Sequence, residues 1–203
     1  MKPLNIICLL IFIIQCKHNF NSCLKQDSLK YISRHAAIII SSNGFFEYEY
    51  RIVKSVLTRG GVEVHTYSNK TGISKGHYGD SVVVENLIRD LDVKAYDALI
   101  FVGGPGVLEL LKKVEVKNLV YEANRANLII AGICMGAYLL SSTRILYKRK
   151  ATTSNLYSTH TKMIKNGAFY TGDSVTIDGN FITAFHPANS WEFAFKILTK
   201  LGI

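Results

Sequence analysis

The sequence has little of several features that would point away from a folded enzyme domain. It contains three prolines in 203 residues and no low-complexity tract or internal repeat, and 48% of its residues are hydrophobic, which excludes a disordered chain. The apolar run at residues 6–14 is shorter than the about 20 residues that a membrane-spanning helix needs. The length suits one domain with a sizeable core.

The chain also has few cysteines, and they give no disulfide framework within a domain. Of the four, Cys8 lies in the apolar run, Cys16 directly follows it and Cys23 lies in a polar stretch. Only Cys134 falls in the part that we expect to fold, and an unpaired thiol there favours a chemical role. The histidines and acidic residues show no metal-ligand spacing, so we predict no metal and no cofactor.

Acidic residues are fewer than basic ones, but the excess positive charge is scattered. The formal net charge is +9, and residues 148–150 form the only dense basic run. No stripe of alternating aromatic and basic residues is present, so we predict no nucleic-acid partner. A solvated basic surface is the favoured interpretation, and a weak attraction to anionic lipids is the alternative.

The N-terminal stretch is typical of an export signal. Residues 1–15 combine Lys2 with the apolar run and resemble a bacterial lipoprotein signal, in which the following cysteine, here Cys16, carries the lipid. Gln15 stands where that signal usually has a small residue. We therefore predict an exported protein, periplasmic or tethered to the membrane, with a tether at 16–34 and a domain at 35–203.

From residue 35 onward, short apolar strands alternate with helices. The predicted strands are 36–40, 62–67, 82–84, 98–102, 128–131, 174–177 and 181–185, and the predicted helices are 48–58, 107–112, 116–125, 135–140 and 187–198. Residues 68–80 are predicted to form a loop. Repeated β–α units indicate an α/β fold with a mostly parallel sheet, whose sites lie at the carboxyl ends of the strands.

One stretch, residues 127–140, predicts a nucleophile elbow. A strand leads into a tight turn at Cys134, and Gly136 lets the backbone pass closely as the next helix begins. A thiol at the positive end of a helix is expected to ionise more readily, and the thiolate is the nucleophile. The alternative is that Cys134 is a small buried hydrophobic residue.

Three motifs in this order resemble the ThiJ/PfpI superfamily. They are Gly44-Phe-Phe-Glu-Tyr-Glu49, Phe101-Val-Gly-Gly104 and Ala131-Gly-Ile-Cys-Met-Gly136. The resemblance implies a flavodoxin-like three-layer sandwich with a mostly parallel central sheet, commonly a homodimer.

The resemblance also implies roles for individual residues. Cys134 matches the nucleophile, and Glu49 matches the glutamate that contacts its thiol and moves a proton. Gly104 and Met135 match the backbone amides of an oxyanion pocket. Arg59 matches an arginine near the dimer-related pocket.

The usual catalytic histidines of the family are absent. Met135 stands where some branches have His after the cysteine, and Ser154 stands where the deglycase branch has His after two threonines. His186 is the candidate base in their place, and a helix-capping role is its alternative.

These features predict a cysteine-dependent enzyme of the glyoxalase or deglycase type, acting on a small carbonyl substrate such as methylglyoxal or its adducts. One alternative is a non-enzymatic redox-sensing or chaperone-like protein, in which Cys134 is oxidised. A second alternative is a cysteine peptidase or amidase.

Overall fold

A seven-stranded sheet lies at the centre of the computed structural model, which describes residues 33–203. The strands of the whole fold are β1 (Arg34–Ile40), β2 (Asn43–Phe45), β3 (Val62–Ser68), β4 (Gly72–Gly76), β5 (Ser81–Val84), β6 (Asn86–Leu87), β7 (Ala98–Phe101), β8 (Ile129–Ile133), β9 (Lys150–Ala151), β10 (Phe169–Tyr170), β11 (Val175–Asp178) and β12 (Phe181–Ala184). The central sheet has the order β11-β12-β8-β7-β1-β3-β6. Its neighbouring strands are parallel except β11, which runs antiparallel to β12.

Helices cover both faces of this sheet. They are α1 (Glu47–Arg59), α2 (Val107–Leu110), α3 (Val114–Arg125), α4 (Met135–Ser142), α5 (Thr159–Lys165) and α6 (Ser190–Leu201), with 3-10 turns at Ile88–Asp90, Val93–Ala95, Leu156–Ser158 and Pro187–Asn189. Every residue of β7 and β8 is buried. Because successive strand residues point to opposite faces, both faces must be packed. The predicted flavodoxin-like α/β fold is confirmed.

The segment predicted as a loop at 68–80 contains a strand instead. β4 pairs with β5 as an antiparallel hairpin, and β2 joins its other edge to form a small second sheet. Ile73 on β4 and its cross-strand partner Val83 on β5 are 68% and 69% exposed. A strand held mainly by backbone pairing, with little apolar burial, leaves a weak alternating pattern in the sequence.

The first strand begins at Arg34, one residue before the predicted domain boundary. The Arg34 guanidinium pairs with Asp97 at 2.9 Å and fixes the start of β1 beside the start of β7. The predicted signal peptide, the Cys16 lipidation site and the tether up to residue 32 lie outside the described residues. No helix between residues 33 and 203 has the length and apolar character to cross a membrane.

Candidate active site

Cys134 occupies a strained corner between β8 and α4. Its φ of 54° and ψ of −120° lie outside the conformations that non-glycine residues favour, and it forms the N-cap of α4. A side chain on Gly136 would overlap the carbonyl of Phe101, so the helix can start this close to β7 only with glycine there. The strand–turn–helix geometry predicted around Cys134 is present.

The carboxyl group of Glu49 lies at the same corner. Glu49 stands in the first turn of α1, is fully buried, and accepts a 2.6 Å hydrogen bond from the Gly103 backbone N–H at Oε2. A methyl group on Gly103 would lie 2.9 Å from Glu49 Oε2 and 3.0 Å from Cys134 Cβ. The Glu49 carboxyl also hydrogen bonds with the Cys134 thiol. Three segments distant in sequence therefore meet at one edge of the sheet.

Burial keeps Glu49 protonated at neutral pH. Loss of hydration raises its pKa to about 8, although the hydrogen bonds from Gly103 and Cys134 act in the opposite direction. A protonated carboxyl group can donate to sulfur or to a substrate oxygen. In the described part of the chain its other oxygen, Oε1, has no hydrogen-bond partner.

The Cys134 thiol does not ionise readily, which corrects the expectation drawn from the helix terminus. Burial raises the pKa of Cys134 well above its usual range, and a Glu49 carboxylate would raise it further. The Ser154 hydroxyl and the Met135 backbone N–H lower the pKa by hydrogen bonding to sulfur, but burial dominates. The helix start supplies the Met135 amide as expected, yet the side chain is fully buried.

Glu49 and Cys134 therefore titrate as one unit. After the first proton leaves, the pair holds a single negative charge with the remaining proton between carboxyl and sulfur. In this form the carboxylate can take the thiol proton as sulfur attacks an electrophile. The arrangement suits proton transfer at a carbon bonded to sulfur.

One backbone amide is directed at the sulfur, that of Met135. Gly103 packs against the Cys134 side chain, and the next amide along the chain is that of Gly104. Gly104 has a φ of 105° and lies too close to the Gly44 carbonyl for any side chain. Within residues 33–203 no hydrogen bond uses the Gly104 N–H. Such a pair of donors is what an oxyanion requires.

His186 lies outside this corner. It is exposed at the N-cap of the Pro187–Asn189 turn, where its Nδ1 accepts a 3.2 Å hydrogen bond from the Ala188 N–H. The groups that act on the thiol are Glu49, Ser154 and Met135, and His186 is not among them. The structure thus gives His186 the capping role, and His186 is also one of the residues that line the cleft described below.

Arg59 is also not brought to Cys134 within one chain. It is exposed in the last turn of α1, ten residues after Glu49, which places the two about 15 Å apart along the helix axis.

Ser154 is the site residue that the sequence reasoning missed. It is buried, and its hydroxyl hydrogen bonds with the Cys134 thiol. The neighbouring Thr153 hydroxyl donates to the Cys134 carbonyl at 2.7 Å and ties this segment to the elbow. The sequence did contain a feature that could have identified this residue, because Ser154 stands where the deglycase branch has histidine.

A cleft of about 360 Å³ adjoins this corner. It is lined by Phe46, Tyr48, His77, Tyr78, Pro105, Leu156, Tyr157, His186 and Pro187. Pro105 directly follows Gly104, and Leu156 follows Ser154 by two residues, so two lining segments of the cleft continue into the site, while Cys134 and Glu49 are themselves buried behind the lining. The Glu47 carboxylate holds one wall by accepting a 2.6 Å hydrogen bond from the Tyr78 N–H. Across the described ranges, no cluster of three His, Cys, Asp or Glu side chains is placed to hold a metal ion.

A cysteine on a strand-to-helix elbow, paired with a buried glutamate at the carboxyl edge of a parallel sheet, defines a class of α/β cysteine proteins. The model of the DJ-1/PfpI family matches residues 34–200. The chain belongs to this family.

Named relatives cover most of the chain. A glutathione-independent glyoxalase of Caenorhabditis elegans is 29% identical over 83% of this chain and 89% of its own length. A deglycase of Thermococcus kodakarensis is 30% identical over 81% of this chain and 98% of its own length. Among solved structures, a ThiJ/PfpI domain protein of Brachyspira murdochii superposes with a TM-score of 0.80 at 24% identity, covering 84% of this chain and 97% of that one, which concerns the fold alone.

Proposed function

We propose that this protein is a cysteine-dependent enzyme that converts small α-oxo aldehydes, or their adducts, into α-hydroxy acids. The observation that carries the proposal is the contact between the Cys134 thiol and a fully buried Glu49 carboxyl group beside the Met135 amide. The relatives that are named as glyoxalase and deglycase support the same chemistry.

In the first step, sulfur adds to the aldehyde carbon. The singly charged pair of Glu49 and Cys134 reacts, so that a C–S bond forms and the aldehyde oxygen becomes an alkoxide. The Met135 and Gly104 amides hold this alkoxide, and the Glu49 carboxyl group gives it a proton. Glu49 is then a carboxylate facing a neutral hemithioacetal.

In the second step, Glu49 moves a proton between two carbons. The carboxylate removes the proton from the former aldehyde carbon, giving an enediolate, and returns it to the neighbouring carbon. The hydroxyl proton passes from the first oxygen to the second, which leaves a thioester of the α-hydroxy acid. The first carbon is oxidised and the second reduced, so no external oxidant is required. Water hydrolyses the thioester and restores the thiol.

The test is conversion of methylglyoxal to lactate, followed by proton NMR in the presence of a chelator. Cys134→Ala should abolish conversion, and Glu49→Gln should slow it by about 100-fold or more, because it removes the proton carrier. Glu85→Gln, at an exposed position, is the matched control and should retain full activity. If wild-type protein forms lactate no faster than Cys134→Ala, the proposal is wrong.

A non-enzymatic, redox-sensing role is the second candidate. It is favoured by the buried Glu49 carboxyl group, which is protonated at neutral pH and can donate a hydrogen bond to an oxygen added to the Cys134 sulfur. In that case mild peroxide should convert Cys134 to a sulfinic acid, detected by mass spectrometry, in a protein that turns over no aldehyde.

We propose a homodimer with Arg59 near the partner's cleft. Arg59 is exposed and is not engaged by its own site, which leaves its guanidinium available to a second copy. Sedimentation should give twice the chain mass, and Arg59→Ala should weaken the association. A monomeric wild type at micromolar concentration would overturn this proposal.

We further propose export and a lipid anchor at Cys16. The support is the sequence of residues 1–16, an apolar run ending in cysteine. Expression in a bacterium fed a clickable fatty acid should label wild type and leave Cys16→Ser unlabelled. Equal labelling of both forms would contradict the assignment.

A further inference from the structure

Three exposed apolar side chains lie on α5, on β10 and on the segment that follows α4. Tyr147, Ile164 and Phe169 are 53%, 52% and 61% exposed. We propose that the surface around them docks onto an anionic lipid bilayer. The docking surface consists of these three residues and the basic residues Arg144, Lys148, Lys150 and Lys165.

Backbone contacts make the surface continuous. The Tyr147 ring packs against the Cα of Gly167, and the Lys148 N–H donates to the Gly167 carbonyl at 2.7 Å. Phe169 pairs with Lys150 in the parallel ladder of β9 and β10, where partners in register point to the same face. Tyr147, Lys150 and Phe169 are thus parts of one patch.

The end of α5 extends the same patch. The Ile164 carbonyl accepts a 2.8 Å hydrogen bond from the Gly167 N–H, so the last turn of the helix leads directly to the glycine beneath Tyr147. Lys165, which follows Ile164 directly, is exposed in this turn. The helix therefore adds the apolar side chain of Ile164 and the ammonium group of Lys165 to the docking surface.

The positive charge of the docking surface is not neutralised by the protein. Among residues 33–203, none of its four basic side chains forms an ion pair. The nearby Asp178 pairs instead with Arg149 at 3.3 Å and accepts from the Lys150 backbone N–H. Arg144 and Lys148 lie 5.7 and 5.5 Å from the Tyr147 ring centroid, so the cations surround an apolar tip.

An anionic bilayer is the partner that matches both properties. Basic side chains attract anionic headgroups while their stems and neighbouring aromatic or aliphatic tips enter the interface. Single-stranded nucleic acid would use its bases on aromatic platforms, and Ile164 has no ring on which a base can stack. The mixture of Ile, Phe and Tyr tips with unpaired cations therefore favours lipid.

The test is co-sedimentation of the full chain with phosphatidylglycerol-containing vesicles and with phosphatidylcholine vesicles. The double variant Lys148→Glu/Lys165→Glu should partition onto the anionic vesicles more than about ten-fold less than wild type. The reason is that each cation strengthens binding to an anionic bilayer by about five-fold. The matched control is Lys70→Glu/Lys94→Glu, which changes the net charge equally beside β3 and β6, at the opposite edge of the central sheet. Residues 1–33 are identical in all forms, so their contribution cancels in the comparison.

Insertion of the side chain at position 169 into the bilayer is tested separately by tryptophan fluorescence. Phe169→Trp should give a blue-shifted emission with anionic vesicles, and wild type, whose one tryptophan is Trp191, supplies the baseline. The proposal is wrong if the two double variants partition equally onto the anionic vesicles. It is also wrong if wild type binds phosphatidylglycerol-containing and phosphatidylcholine vesicles equally. It would also fail if the surface variant lost binding to an oligonucleotide while vesicle binding stayed unchanged.

Discussion

Gly103 donates its backbone N–H to Glu49 Oε2 over 2.6 Å, and this bond holds the carboxyl group beside the Cys134 side chain. The bond joins the start of α1 to the turn after β7. The elbow after β8 supplies the sulfur, so three strand ends build one proton-transfer site. The reactivity of this site depends on how tightly the three segments pack.

Exchanging Gly103 for alanine should disrupt the pair. The added methyl group would lie 2.9 Å from both Glu49 Oε2 and the Ile133 carbonyl, so either the carboxyl group or the elbow must shift. We expect lactate formation to fall by about 100-fold or more, because misplaced catalytic groups lose effective concentration. Ser81→Ala, at an exposed position, is the control and should retain activity. An active Gly103→Ala enzyme would contradict this arrangement.

Alkylation of Cys134 should follow the titration of the pair. In wild type the reaction rate should rise as the first proton leaves with an apparent pKa of about 8. In Glu49→Gln no carboxylate takes the thiol proton, and burial still raises the pKa of Cys134, so the rise should move to higher pH. Iodoacetamide labelling with mass spectrometry measures both curves. Identical curves would show that Glu49 does not govern the thiol.

Folding stability should fall as pH increases from 4.5 to 8. The pKa of Glu49 is 4.5 in the unfolded chain and about 8 in the folded protein. Its contribution is complete below pH 4.5 and is lost toward pH 8, because the unfolded chain ionises while the folded protein holds the proton.

This slope should disappear in Glu49→Gln, which carries no proton at this position. Each unit of pKa difference corresponds to about 1.4 kcal/mol, so urea unfolding should show that the variant gains several kcal/mol relative to wild type across this interval. If the free energy of unfolding changed with pH in the same way for wild type and variant, Glu49 would ionise freely in the folded state.

Ser154→Ala should make the thiol harder to ionise. The hydroxyl hydrogen bonds with sulfur and lowers its pKa, so its loss should reduce alkylation several-fold at neutral pH. The difference should shrink at alkaline pH, which separates an electrostatic effect from misfolding. Ser81→Ala, at an exposed position, is the control.

His186→Ala should leave turnover within about three-fold of wild type, since a general base would contribute about 100-fold or more. The histidine caps the turn before α6, so its loss should lower the free energy of unfolding by about 1 kcal/mol. Comparing kcat with the midpoint of thermal unfolding separates the two effects. A loss of activity without a loss of stability would restore His186 as a base.

Much of the fold and the elbow followed from local patterns. The apolar runs at β1, β7 and β8 require packing on both faces, and the glycine at position 136 marks where α4 passes β7. The β4 strand escaped prediction because its pairing is held by backbone hydrogen bonds, which leave little trace in side-chain type.

The sequence by itself determined which chemical groups are present: a lone thiol at a strand-to-helix turn, a glutamate at a helix start, and no histidine at the usual family positions. Only the tertiary structure decided their states. Burial under the helices raises the pKa of both Glu49 and Cys134, opposite to what the helix terminus predicts for the thiol. The structure also brings Ser154 to the sulfur and engages His186 as a cap. The physical reason is that hydration depends on all the layers around a group, whereas a motif records only its neighbours along the chain.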